Sequence, residues 1–197
     1  MVARFMAANP RVEVHLESTN RRVDVIAEGL DLALRVRFPP LDDTDLVMRV
    51  LGNSRQRLIA APELLKQYRR PLVPADLSAL PSVDLGPPYG EHAWRLTGPD
   101  GTTARVLHRP RLIVDDMVAL WFAARNGVGV AQLPSMMIGD ALADGTAVDL
   151  LPEWVPNSGI VHAVFPSRRG LLPSVRALLD FLAAEYARLE AADEIRV

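Results

Sequence analysis

The chain has 197 residues, a formal net charge of −2 and no cysteine. Near-neutral charge removes any global attraction to nucleic acid or anionic membrane, and the missing thiols exclude disulfides, thiolate metal sites and cysteine nucleophiles. With 49% apolar and 23% charged residues the composition is that of an ordinary globular protein, long enough for one large domain or two small lobes.

In chain order, Val2, Phe5 and Met6 share one face of a first helix. Asn9-Pro10 stops it, with Asn as a left-handed cap. Val12, Val14 and Leu16 alternate with Arg11, Glu13, His15 and Glu17, the pattern of a half-buried strand. A short helix is expected next, with Val23, Ile26 and Ala27 inward and Gly29 just past its end. Leu30, Leu32, Leu34 and Val36 alternate with polar neighbours as another strand, which Pro39-Pro40 terminates. Leu46–Leu51 and Arg57–Ala60 are further strands, and Pro62 opens the helix Glu63–Tyr68.

The middle of the chain is divided by prolines 71, 74, 81, 87, 88 and 99. Pro99-Asp100-Gly101 has hairpin-turn chemistry. Leu112–Val114 reads as a strand, and Asp115 as the N-cap of a helix that carries Val118, Trp121 and Phe122. Gly127 closes that helix, and Val128–Leu133 is a buried strand. Met136–Ala143 is helical and ends near Gly145, and Val148–Leu151 is a strand. Ile160–Phe165 is the last strand, and the final helix starts near Pro173 with Val175, Leu178, Leu179, Leu182 and Tyr186 at helical spacing. Strands alternating with helices indicate an α/β protein with mixed, largely parallel sheets, as one doubly wound sheet or as two lobes.

Three stretches decide between these. Residues 23–35, VDVIAEGLDLALR, residues 58–65, LIAAPELL, and residues 123–134, AARNGVGVAQLP, occur in an order and spacing that resemble the effector-binding domain of LysR-type bacterial transcription regulators. Leu150–Trp154 and Phe165–Arg169 continue the likeness, so it covers essentially the whole chain. The resemblance implies a two-lobed fold of the periplasmic-binding-protein type 2, with residues 1–59 plus 160–197 in lobe one and 60–159 in lobe two. It implies a small organic effector, a carboxylate or aromatic metabolite, bound between lobes that reorient in response, in a homo-oligomer. It also implies that a helix-turn-helix, the part of such a regulator that contacts DNA, and the family's first effector-domain strand would precede Val2. Loss of that strand would leave unpaired backbone groups, each costing ~1–3 kcal/mol if buried. A fragment that keeps an oligomerisation surface without sensing is the alternative.

In such a fold ligands meet the carboxyl ends of strands, where helix N-termini favour anions. The expected ligand-binding residues are therefore Val36, Arg37 and Phe38 on the rim, Ala60, Ala61 and Pro62, Val114 and Asp115, and Phe165. Arg37 suits a carboxylate bidentately. Gly127-Val128-Gly129 follows a helix and enters a strand, the reverse of a phosphate loop, so a helix cap is the better reading. His15, His92, His108 and His162 lack metal-ligand spacing, and His108, among Arg105, Arg109 and Arg111, is expected at a solvated strand edge. No cofactor and no metal are expected, and no acid/base pair or nucleophile constellation marks an enzyme. No apolar run approaches the ~18 residues of a membrane helix, and Met1–Met6 lacks the signal-peptide pattern. No membrane contact and a cytoplasmic location are expected.

Overall fold

A computed structural model of the protein describes residues 1–21, 23–39, 46–166 and 171–195, with side chains through residue 191. The chain folds into two units, Met1–Ser54 with Gly159–Val197, and Arg55–Ser158.

In the first unit, helix α1 (Val2–Ala8) ends at Asn9 with φ −131, outside the left-handed region expected of its cap; the Asn9 side-chain amide instead donates to the Phe5 carbonyl. Strands β1 (Ala33–Arg37) and β2 (Val47–Ser54) both pair antiparallel with β11 (Gly159–Phe165), in the order β1-β11-β2. The apolar run of β11 suits its central place. A bulge lets Leu51 slip between the pairs Val161–Gly52 and His162–Val50. Helix α5 (Pro173–Ile195) covers one face, where Val175, Leu179 and Leu182 pack on Leu51, Val161, Ala163 and Phe165. A Cβ at Gly52 would lie 3.1 Å from Glu190 Oε1 and 3.4 Å from Tyr186 Cβ, and the Asn53 amide donates to Glu190 at 2.6 Å, so the helix rides close over β2.

Two further sequence expectations fail in this unit. Residues 12–16 form no strand, and Leu16 is 68% exposed. Alternation supplies an apolar face, but a strand exists only where a neighbour accepts its backbone groups. The short helix near residue 26 is a hydrogen-bonded turn. Asp24 accepts from the amides of Ile26 and Ala27, turn chemistry that competes with helix, so Val25 is buried while Ile26 is 64% exposed.

Helix α1 is held to α5 by Phe5, buried at a ring distance of 5.6 Å from Phe181. Glu185, 4% exposed, pairs with Arg4 and, at 2.8 Å, with Arg188. Both arginines are mostly exposed, so they rehydrate readily when the carboxylate is removed. Glu185→Gln is therefore expected to destabilise the unit by only about 1 kcal/mol, read as a urea midpoint shift at unchanged slope.

In the second unit β3 (Gln56–Ala60) lies antiparallel between β8 (Ala131–Pro134) and β9 (Val148–Asp149). Strand β4 (Ser82–Leu85) pairs parallel with β7 (Pro110–Val114) and bridges in parallel from Ser82 to Val130, just before β8. The hairpin β5 (His92–Thr97) and β6 (Thr103–His108) turns through Gly101 at φ +80, as the Pro-Asp-Gly chemistry predicts. Strand β10 (Val155–Pro156) borders β5. Helices α2 (Pro62–Gln67), α3 (Met117–Arg125) and α4 (Ser135–Ala143) and a 3₁₀ turn over Pro74–Ala79 complete it.

One core gathers Leu58, Leu77, Trp94, Leu96 and Leu150, and a second Ile59, Val83, Leu120, Leu133 and Ile138. The α/β class stands, but among the described strands the pairings are largely antiparallel, with β4–β7 and the Ser82–Val130 bridge the parallel ones. Chain-order alternation of strand and helix does not by itself set strand direction, because β3 and β11 each run against their neighbours.

Candidate functional site

Strand pairing decides where each expected ligand residue lies. In the first unit Val36 and Arg37 stand opposite Val161 and Ile160, beside the Gly159–Ser54 pair at which the chain leaves and re-enters the unit. Val36 and Phe38 are 42% and 47% exposed. The Arg37 guanidinium donates to the Val36 carbonyl at 3.1 Å, and no carboxylate among the described residues pairs with it. Phe165 is at the other end of β11, opposite Val47, and its buried ring belongs to the core under α5. The last residues of the Phe165–Arg169 stretch fall outside the described residues.

In the second unit β3 runs against β8, while β4, β7 and the chain entering β8 run together. Ala60, Ala61 and Pro62 therefore lie where β4, β7 and β8 begin, and Val114 and Asp115 where they end. The two stretches are at opposite ends of the unit's strands. Pro62 is the first helical residue of α2, as expected, but Ala61 has no capping side chain and the helix is only six residues long. The end carrying Val114 is also the entry end, since Gln56 pairs with Pro134 and the Ser135 amide donates to the Arg55 carbonyl.

The N-cap of α3 is Asp116, not Asp115. The Asp116 carboxylate accepts from the Ala119 amide at 2.7 Å, in extended backbone conformation. Adjacent aspartates are equivalent as letters, and the register of the first helical turn chooses between them. Asp115 is thereby released from capping and stands exposed at the strand end.

Gly127, at φ +74, closes α3. Its amide donates to the Ala124 carbonyl and that of Val128 to Ala123, the paired bonds of a Schellman cap. The helix-cap reading of Gly127-Val128-Gly129 holds.

His108 corrects another expectation. Its side chain is 2% exposed, stacked on Trp94 with ring centroids 3.8 Å apart, and its Nδ1 is 2.8 Å from the Ser82 hydroxyl. It is a core histidine, and burial holds it below its ordinary pKa, with His92 repelling and Asp84 opposing the shift. Sequence scanning missed this cluster because Ser82 and Asp84 are far away in the chain and on another strand. Among the described residues no three histidine, cysteine or acidic side chains are grouped to hold a metal. No helix among them is long and apolar enough to cross a membrane.

The family model described as LysR substrate binding domain matches residues 1–187. The chain belongs to this LysR substrate-binding-domain family. An HTH-type transcriptional regulator of Haemophilus influenzae, described as uncharacterised, is 29% identical over 167 residues, covering 85% of this chain and 57% of the regulator. The chain thus spans little more than half of that relative's length. Among solved structures, the regulatory domain of CrgA, a LysR-type transcriptional regulator from Neisseria meningitidis, superposes with a TM-score of 0.79 at 26% identity, over 94% of this chain and 89% of that one. The full-length Vibrio cholerae virulence activator AphB shares the fold with a TM-score of 0.80 at 23% identity, over 94% of this chain and 62% of AphB. These relatives are transcription regulators, not enzymes, and the LysR-type fold of the periplasmic-binding-protein class is the architecture described above.

Proposed function

We propose that this chain is the small-molecule sensor of a cytoplasmic LysR-type bacterial transcription regulator, acting as a homo-oligomer whose DNA contacts come from a separate domain. In this reading the two units are its lobes, the effector binds between them, and its preference for one lobe arrangement is the signal. A ligand shifts such an equilibrium only by its differential affinity for the two arrangements.

The observation that carries the reading is the placement of two strand ends. Val36–Phe38 lie at the end of their sheet where the chain leaves the first unit, and Val114–Asp115 at the end of the second unit's strands toward which β3 begins. Ala60–Pro62 and Phe165 lie at the far ends, which narrows the proposed contacts to Val36, Arg37, Phe38, Val114 and Asp115. Arg37 supplies an exposed guanidinium free of carboxylate partners among the described residues, suited to a carboxylate on the effector. Phe38 adds an exposed ring for an aromatic or apolar body.

Isothermal titration of the folded chain against small aromatic and aliphatic carboxylates tests this. Saturable binding is expected, weakened about 10- to 100-fold by Arg37→Ala, the loss of a charge-assisted contact. No saturable binding by a sample that melts cooperatively, or binding indifferent to Arg37→Ala, would overturn the assignment.

A further inference from the structure

The second unit buries a polar cluster that the sensing proposal leaves unused. Ser82 and Asp84, two residues apart on β4, face the open end of the β5–β6 hairpin, whose first and last residues, His92 and His108, are cross-strand partners. His92 Nδ1 lies 2.6 Å from Asp84 Oδ2, and the Ser82 hydroxyl 2.8 Å from His108 Nδ1. His108 Nε2 is buried without a hydrogen-bond partner, 3.9 Å from that same carboxylate oxygen. These contacts join two sheets of the unit, and both histidines border an open pocket of about 740 Å³ with Leu80, Leu107 and Ile113, the His108 ring itself being buried.

The network assigns the protons. His92 donates Nδ1–H to Asp84. If the Ser82 hydroxyl donates to His108 Nδ1, the neutral ring carries its proton on Nε2, 3.9 Å from the carboxylate oxygen and beyond hydrogen-bond reach of it. The opposite tautomer would set a bare lone pair against that oxygen. We propose that Ser82, Asp84, His92 and His108 form a proton-released latch, which pins the open end of the β5–β6 hairpin to β4 while His108 is neutral and frees it when His108 takes up a proton.

A proton on Nδ1 reverses the Ser82 contact, the hydroxyl turning to accept, so what opposes protonation is the charge placed on a side chain that is 2% exposed. Asp84 attracts that charge, but its nearer oxygen is already engaged by His92, which repels it. The other charged groups near the cluster are committed or exposed: Glu91 to Arg105, Asp76 on the 3₁₀ turn to the amides of Leu72 and Val73, and Arg109 exposed on the rim. Burial depresses the folded pKa of His108, so the unfolded hairpin binds the proton more readily. The latch's stabilisation is complete above the unfolded value of about 6.5 and is lost as pH falls through the folded value.

Hydrogen–deuterium exchange of the full chain between about pH 7.5 and about pH 5, corrected for intrinsic exchange rates, tests the latch. The amides of β5 and β6 are expected to lose protection by about 10-fold or more on acidification while β3 and β8 keep theirs, and His108→Gln, which cannot titrate, is expected to abolish the change. In the unsubstituted chain the His108 ring resonances are expected to titrate below about 6.5, a readout that stands even where the variant fails to fold. Hairpin protection independent of pH, an unaltered pH response in His108→Gln, or a His108 midpoint at or above the ordinary histidine value would each overturn the proposal.

Discussion

Gly129→Ala is expected to destabilise the second unit by about 3 kcal/mol, the upper part of the range for overpacking a rigid site. A Cβ at this position would lie 2.8 Å from the Pro81 carbonyl oxygen and 2.8 Å from Ser82 Cα. Both are backbone atoms, and neither can swing aside as the end of a long side chain would. The chain is held there by Val130 N–H donating to the Pro81 carbonyl at 2.8 Å and Val83 N–H donating to Val130 at 2.9 Å, the bonds that dock β4 beside the entry to β8. Making room for a methyl group means stretching both. Gly127→Ala, two residues earlier, meets only the Leu64 amide nitrogen at 3.9 Å but carries the cost of φ +74, about 1 kcal/mol. Urea unfolding of the two variants should thus rank them with Gly129→Ala clearly the worse. Equal midpoints would mean that the close approach is relieved at little cost.

Trp94→Ala is expected to cost about 4 kcal/mol. The indole is 2% exposed, fills the core with Leu58, Leu77 and Leu96, and stacks within 10° of parallel on His108. Its Nε1 is buried without a partner, so no hydrogen bond is lost with it and the whole cost is cavity and contact. Trp94→Phe keeps an aromatic face over the imidazole and discards an unsatisfied donor, and should cost about 1 kcal/mol. The alanine variant also opens His108 to water, so its titration should return toward the ordinary histidine value. Denaturant melts with the His108 ring resonances followed against pH read both effects. A Trp94→Phe change as damaging as Trp94→Ala would show that the indole nitrogen is satisfied after all.

Much of the local structure was legible because it depends on neighbours in sequence. Pro62 opening α2, Gly127 closing α3 and the Pro-Asp-Gly turn of the β5–β6 hairpin are set by backbone conformations only a few residue types adopt. That turn could also have located the histidine pair: counting outward from Asp100 sets His92 opposite His108. What it could not reveal is which face of the hairpin is buried, since the arginines around His108 suggest solvent while the register with Trp94 and Leu96 places it inside.

For the proposed contacts, the sequence made only their place at strand ends legible. Val36–Phe38 and Val114–Asp115 are strand ends by pattern, and the pairings put the first where the chain leaves its unit and the second at the end of the strands toward which β3 begins. Ala60–Pro62 has the same local signature, a strand ending into a helix. It lies at the opposite end because β3 runs against β8, and strand direction is a property of the partner, not of the segment. Residues 12–16 teach the same lesson, an alternating run with no ladder to join among the described strands.

By itself, then, the sequence determined the family and those caps and turns that rest on Pro62, Gly127 and Pro99-Asp100-Gly101, because ordered motifs and local backbone preferences survive without tertiary contacts. Only the tertiary structure decided the sense of each strand, the choice of Asp116 over Asp115, the burial of Phe165 and His108 and the close approach at Gly129. Apart from the Asp116 cap, which the register of the first helical turn sets, each of those turns on which distant segment lies alongside, and long-range pairing leaves no local trace in the chain.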